Sequence, residues 1–216
     1  MKKTLSIFLS LLVAATMVLS FTGCSENSKF VGEWSARIDV SDEMNKGILD
    51  NSEELAKYFK STDLTVTINF TFNKDGSYKT EIDEASIDAL CDSFAAVVKD
   101  GFTAYFNDLF AEKGIDIAGL GGLDGALKVM GTSLEEVVKE SVNRDDIKKE
   151  FESVNDSGDY KAQKGKLYTF ETGTVPKEDV YETYEFTDKN TLVITGAVGQ
   201  DDNDGTLNYP LTFTRK

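Results

Sequence analysis

Leu64-Thr65-Val66-Thr67-Ile68-Asn69-Phe70-Thr71-Phe72, then Asn73-Lys74-Asp75-Gly76, then Ser77-Tyr78-Lys79-Thr80-Glu81-Ile82, is the stretch that decides the fold. A period of two is the period of a β-strand, so Leu64, Val66, Ile68, Phe70 and Phe72 share one face while the threonines and Asn69 share the other. The Asn-Lys-Asp-Gly segment supplies turn chemistry, and Tyr78, Thr80 and Ile82 return on the same face, which predicts an antiparallel hairpin. The same rhythm occurs upstream in Phe30 to Val40, with Trp34, Ala36, Ile38 and Val40 opposite Arg37 and Asp39. It recurs downstream around Tyr160 and Ala162, Leu167 to Glu171, Val180 to Thr187, Leu192 to Val198 and Leu207 to Thr214. About eight antiparallel strands with short links can close on themselves, which removes exposed strand edges and leaves an interior filled by side chains or by one small ligand. The expected fold class is therefore mainly β, an up-and-down antiparallel barrel, with a helical block inserted between the third and fourth strands.

That block is residues 84–156, where the period changes from two to three-and-four. Ile87, Leu90, Cys91, Phe94, Val97, Val98, Phe102, Tyr105, Phe106, Leu109 and Phe110 predict one long amphipathic helix over Glu84 to Glu112, with Gly101 inside it. A glycine-rich link, Gly119 to Gly125, leads to a short helix around Ala126 to Met130, and Thr132 with Glu135 reads as a capping box for the next. Ile147 to Val154 predicts a last helical stretch ending in Asn155-Asp156-Ser157-Gly158. Ser41 and Ser52 are candidate caps of two shorter helices between the first two strands.

Charge and composition exclude several functions. The formal net charge is -15 with no histidine anywhere in the chain. Ser-His and Cys-His nucleophile pairs and the usual zinc sets are thereby absent, and no cofactor or metal is expected. An acidic surface is repelled by phosphate backbones and anionic headgroups, which argues against nucleic acid and against electrostatic membrane binding. Acids are abundant everywhere and no carboxylate pair is singled out for glycosidase-type chemistry. No catalytic residue is expected.

The N-terminus carries a different message. Lys2 and Lys3 precede an apolar run too short for a comfortable membrane span, followed by Phe21-Thr22-Gly23-Cys24. This segment resembles the bacterial lipoprotein lipobox, with Phe21 where that pattern usually has leucine. The resemblance implies a signal peptide over 1–23, acylation of Cys24 by palmitate-type chains, a tether over 24–29, and residence on the extracytoplasmic face of the cell membrane. Removing residues 1–23 takes away two lysines and no acid, so the mature chain would carry -17. Cys91 is then the one remaining cysteine and reads as a buried structural thiol.

Gly32-Glu33-Trp34 on the first strand and Arg215 on the last resemble the signature of lipocalin-like, calycin-type barrels. That resemblance covers the strands and not the helical block, and it implies that Trp34 closes one barrel end beneath the Arg215 guanidinium. The barrel domain is expected over 30–216, with the helical insertion 84–156 included. The aromatic stripe Phe94, Phe102, Tyr105, Phe106 and Phe110 is either core or the lining of an apolar pocket. Tyr160, Tyr168, Tyr181 and Tyr184 are either ordinary strand residues or an exposed aromatic patch. Asp201-Asp202-Asn203-Asp204-Gly205 misses the EF-hand spacing, and the glycine-rich link lacks a phosphate-loop lysine. Together these readings predict a non-enzymatic cell-surface lipoprotein that binds an apolar or amphipathic small molecule or an envelope partner. The alternative is a structural or interaction module with a filled barrel.

Overall fold

The computed structural model describes residues 26–49, 55, 57–59, 63–199 and 209–216. Eight strands appear in chain order: β1 Gly32–Asp39, β2 Thr65–Phe72, β3 Ser77–Ile82, β4 Asp156–Gln163, β5 Lys166–Phe170, β6 Tyr181–Asp188, β7 Thr191–Val198 and β8 Leu211–Arg215. They run in sequential order around a closed barrel. β8 returns antiparallel to β1, with Trp34 opposite Arg215. The decisive hairpin has the expected register, Phe72 opposite Tyr78 and Ile68 opposite Ile82.

The register defines two ends. The turns β2–β3, β4–β5 and β6–β7 lie at the end where β1 begins and β8 finishes, and we call this the floor. At the opposite rim the chain leaves the barrel after β1 and after β3, and there the 171–180 loop also joins β5 to β6. Phe30 does not begin the first strand as its pattern suggested. It ends a helical turn, α1 Asn27–Phe30, because its ring is needed in the middle of the floor, fully buried. Asp156-Ser157-Gly158 likewise opens β4 rather than a loop, with Ser157 opposite Lys79 and Gly158 opposite Tyr78. A Cβ on Gly158 would press against the Phe170 carbonyl, so glycine here marks close backbone approach.

By compactness the chain divides into a barrel unit (residues up to Ile38, Val66–Asp83 and Lys149–Lys216) and a helical unit (Asp39–Thr65 and Glu84–Lys148). The helical unit holds α2 Ser41–Leu49, α3 Glu84–Glu112, a 3-10 turn at Ala118–Leu120, α4 Gly122–Val129 and α5 Leu134–Ser141. α6, Arg144–Glu152, starts in it and leads back to β4. The long helix has the boundaries its apolar spacing predicted, and it buries Ile87, Leu90, Cys91, Phe94, Val98, Gly101 and Phe110. Gly101 is tolerated in its interior because the Phe59 ring lies where a Cβ would stand. Among the described residues no helix is long and apolar enough to cross a membrane. α5 is capped by Ser133, whose hydroxyl accepts from Glu136 N at 3.1 Å, one residue later than the Thr132 reading. Ser133 wins because its extended backbone places the hydroxyl over the first turn. Most of the helix expected after Ser52 lies outside the described residues.

Candidate ligand site in the barrel

The floor is sealed by aromatic side chains and one guanidinium. The Phe30 ring sits 5.2 Å from Phe72, 4.7 Å from Tyr184 and 5.0 Å from Phe186, measured between centroids. Trp34 is fully buried beside Phe186, and its indole N–H donates to the Phe30 carbonyl. Arg215 Cζ stands 4.2 Å from the Trp34 ring centroid. Its guanidinium also donates to the carbonyls of Val31 and, at 2.7 Å, Lys29. Gly32 completes the set: its φ is +133°, and a Cβ would lie 2.7 Å from Arg215 Nη1. Backbone conformation and space both require glycine at this position.

The same N-terminal turn is stapled to the strands. The Asn27 side chain accepts from Ala162 N at 2.6 Å, and Tyr184 Oη donates to Glu26 Oε2 at 2.9 Å. Tyr160 Oη donates to the carbonyls of Asn27 and Asn73, both at 3.2 Å. Burial pushes the Tyr160 phenol up to about 12, with a smaller push from the Asp75 charge. Residues 26–29 of the expected tether are thus bonded into the floor.

Towards the rim the inward face changes character. Thr169 pairs with buried Tyr160, Glu182 pairs with buried Leu167 and with Ala197, and Asp156 pairs with buried Thr80, so these residues share the inward parity. Thr169, Glu182, Ala197 and Tyr209 are half-buried, whereas inward residues of the floor layer such as Phe72 and Phe213 are buried. Tyr78 Oη donates to Asp156 Oδ2. Burial first, then that hydrogen bond and the Asp156 charge, hold the Tyr78 phenol far above its ordinary value, with the Glu182 charge adding to the rise. Tyr209 is pushed up to about 12 by burial and then by Glu182. The result is a barrel with a dry aromatic base and a mouth lined partly by neutral phenols, threonines and two carboxylates and partly by the apolar Ile38, Val66, Ile68 and Ile82. Such a mouth accepts hydrogen bonds from a polar or cationic head.

The aromatic stripe lies elsewhere, in the helical unit. The Phe106 ring on α3 contacts Phe102, Tyr105 and Phe110, with centroids 5.9, 5.4 and 6.4 Å away. Phe59 stacks edge-on against Phe102 at 4.9 Å and Tyr58 against Tyr105 at 5.6 Å, so the stripe serves the packing of that unit. Phe94 is buried two turns earlier on the same helix. The four tyrosines split by parity: Tyr160 and Tyr184 point inward, while Tyr168 and Tyr181 pair at 5.7 Å with the Lys166 ammonium 3.9 Å over the Tyr181 ring. Glu182 was missed by sequence reading, although it shares the parity of Tyr184 and Phe186 and so was legible as an inward acid. Cys24 and the loop at Asp201 to Gly205 lie outside the described residues.

Cys91 is fully buried on α3, and burial raises its thiol pKa, against which Arg144 and Lys148 push weakly. The native protein is therefore expected to resist a thiol reagent such as Ellman's at this residue until denatured, and rapid native labelling would show that α3 opens readily. Comparison of the chain with protein-family models, with curated proteins and with solved structures returns no match.

Proposed function

We propose that this chain is a non-enzymatic, lipid-anchored protein of the extracytoplasmic membrane face, whose lipocalin-like barrel binds an amphipathic small molecule in its rim half. One observation carries the binding reading: inward Glu182, Asp156, Tyr78 and Tyr209 put polar groups into a barrel whose rim-side residues on β1, β2 and β3, Ile38, Val66, Ile68 and Ile82, are apolar. Phenols held neutral through the physiological range act as hydrogen-bond partners, and none is placed to work as a phenolate base. The carboxylates favour an ammonium or hydroxyl head over a carboxylate.

Titration calorimetry with dodecylammonium and with dodecanoate tests this. Dodecylammonium is expected to bind at least about tenfold more tightly, and Glu182→Gln to remove most of the difference, since a charge-assisted hydrogen bond is worth about 1.5–3 kcal/mol. The aromatic base favours one competing reading, a filled barrel serving as an interaction module. Absence of heat with both amphiphiles, together with no retained small molecule by native mass spectrometry, would put that reading ahead.

A further inference from the structure

The net charge of the chain hides an asymmetry between the two ends of its barrel. Each of the three turns at the floor carries an exposed lysine: Lys74, Lys164 and Lys189. Lys29 on α1 and Lys216 after β8 add two more at the same end. The exposed acids there are Glu33, Asp75 and Asp188. Two of these are held within their own turns, Asp75 accepting from Ser77 N at 3.0 Å and Asp188 from Asn190 N at 2.7 Å. At the rim the 171–180 loop reverses the balance, with exposed Glu171, Glu178 and Asp179 against Lys177. The global acidity that argued against membrane contact therefore does not describe the floor.

A second observation concerns distance. Glu26 and Asn27 are bonded into the floor, so only two Cα steps separate Cys24 from a fixed residue. Two steps span at most about 7 Å. A chain anchored at Cys24 has no slack with which to choose another face.

We infer that the lysine-ringed floor of the barrel is a docking surface for anionic phospholipid headgroups, which seats the barrel upright with its polar mouth turned away from the bilayer. The inference rests on the acylation of Cys24 proposed above. Short anchorage brings the floor to the membrane, and charge complementarity holds it there, since lysines at an anionic surface are attracted to it.

Lysine footprinting tests the surface directly. The full chain is expressed in a bacterium, purified, and reconstituted on vesicles of phosphatidylcholine alone or of phosphatidylcholine with phosphatidylglycerol. Its lysines are then acetylated from the aqueous side and read by peptide mass spectrometry. Lys29, Lys74, Lys164, Lys189 and Lys216 are expected to slow by about fivefold on the anionic vesicles, relaxing in high salt, while Lys177 is unchanged. The triple variant Lys74→Gln, Lys164→Gln, Lys189→Gln, with its fold checked by Trp34 fluorescence, is expected to lose the protection at Lys29 and Lys216. Equal reactivity at both ends, or protection of Lys177, would overturn the inference.

The mass of the N-terminal peptide separates this outcome from the anchoring reading. An acylated Cys24 with a uniform footprint sinks the docking surface alone. An unmodified Cys24 sinks the anchor, and the footprint is then read on the mature chain, residues 24–216, coupled through its Cys24 thiol to a maleimide lipid. Cys91 is buried and does not compete.

Discussion

Trp34→Ala is expected to cost about 3–5 kcal/mol of unfolding free energy, the usual range for deleting a large buried aromatic. Three losses coincide at this position: a fully buried indole, its hydrogen bond to the Phe30 carbonyl, and the ring beneath Arg215. The cavity opens beside the Phe186 ring, which itself packs against Phe30, and beneath the Arg215 guanidinium. In a chain of this size the loss corresponds to a fall in melting temperature on the order of 10 °C, readable by circular dichroism. Trp34→Phe keeps most of the volume and should lose clearly less. A melting point unchanged by Trp34→Ala would mean that the floor does not hold the barrel closed.

Gly158→Ala is the second large effect, and its cause is the opposite one. The added methyl meets the backbone carbonyl of Phe170 and then the Tyr78 ring. A side chain could rotate away, but a carbonyl in a paired strand cannot. Overpacking of this kind costs about 1–3 kcal/mol, here by prising β4 from β5. Its neighbour Ser157 points the other way, so Ser157→Ala is expected to stay within about 0.5 kcal/mol. Urea unfolding of the two variants compares them directly; equal midpoints would show that the two strands separate at no cost.

Much of the barrel was legible because inward and outward residues alternate cleanly where the strand has one wet face. Val66, Ile68 and Phe72 are buried as their parity demanded, and so are Tyr78, Thr80 and Ile82. The long helix was legible for the corresponding reason, a three-and-four spacing sustained over many turns. Local chemistry misled where tertiary contact overrode it. Asp156 and Gly158 look like turn residues, yet each is fixed by a cross-strand neighbour that no local window contains, the Tyr78 hydroxyl and the Phe170 carbonyl. Phe30 continued the strand rhythm by one place too many, because a residue at the end of an alternation fits a plug as well as a strand.

The candidate site was harder to see for a different reason. Aromatic abundance drew attention to the stripe on α3, whereas the inward acid, Glu182, is one of many and is distinguished only by its partners across the sheet, Leu167 and Ala197. The basic floor was invisible in the composition because its lysines are scattered along the chain and are gathered only when three turns arrive at one end. Net charge averages over a surface that the fold partitions.

The pairing of Trp34 with Arg215 joins the first strand to the last. Contacts of such long sequence separation form late, since the loop must be closed before they are rewarded. A growing polypeptide therefore stays an open ribbon until its final strand has been synthesised, and closure of the cylinder is the last event of its folding.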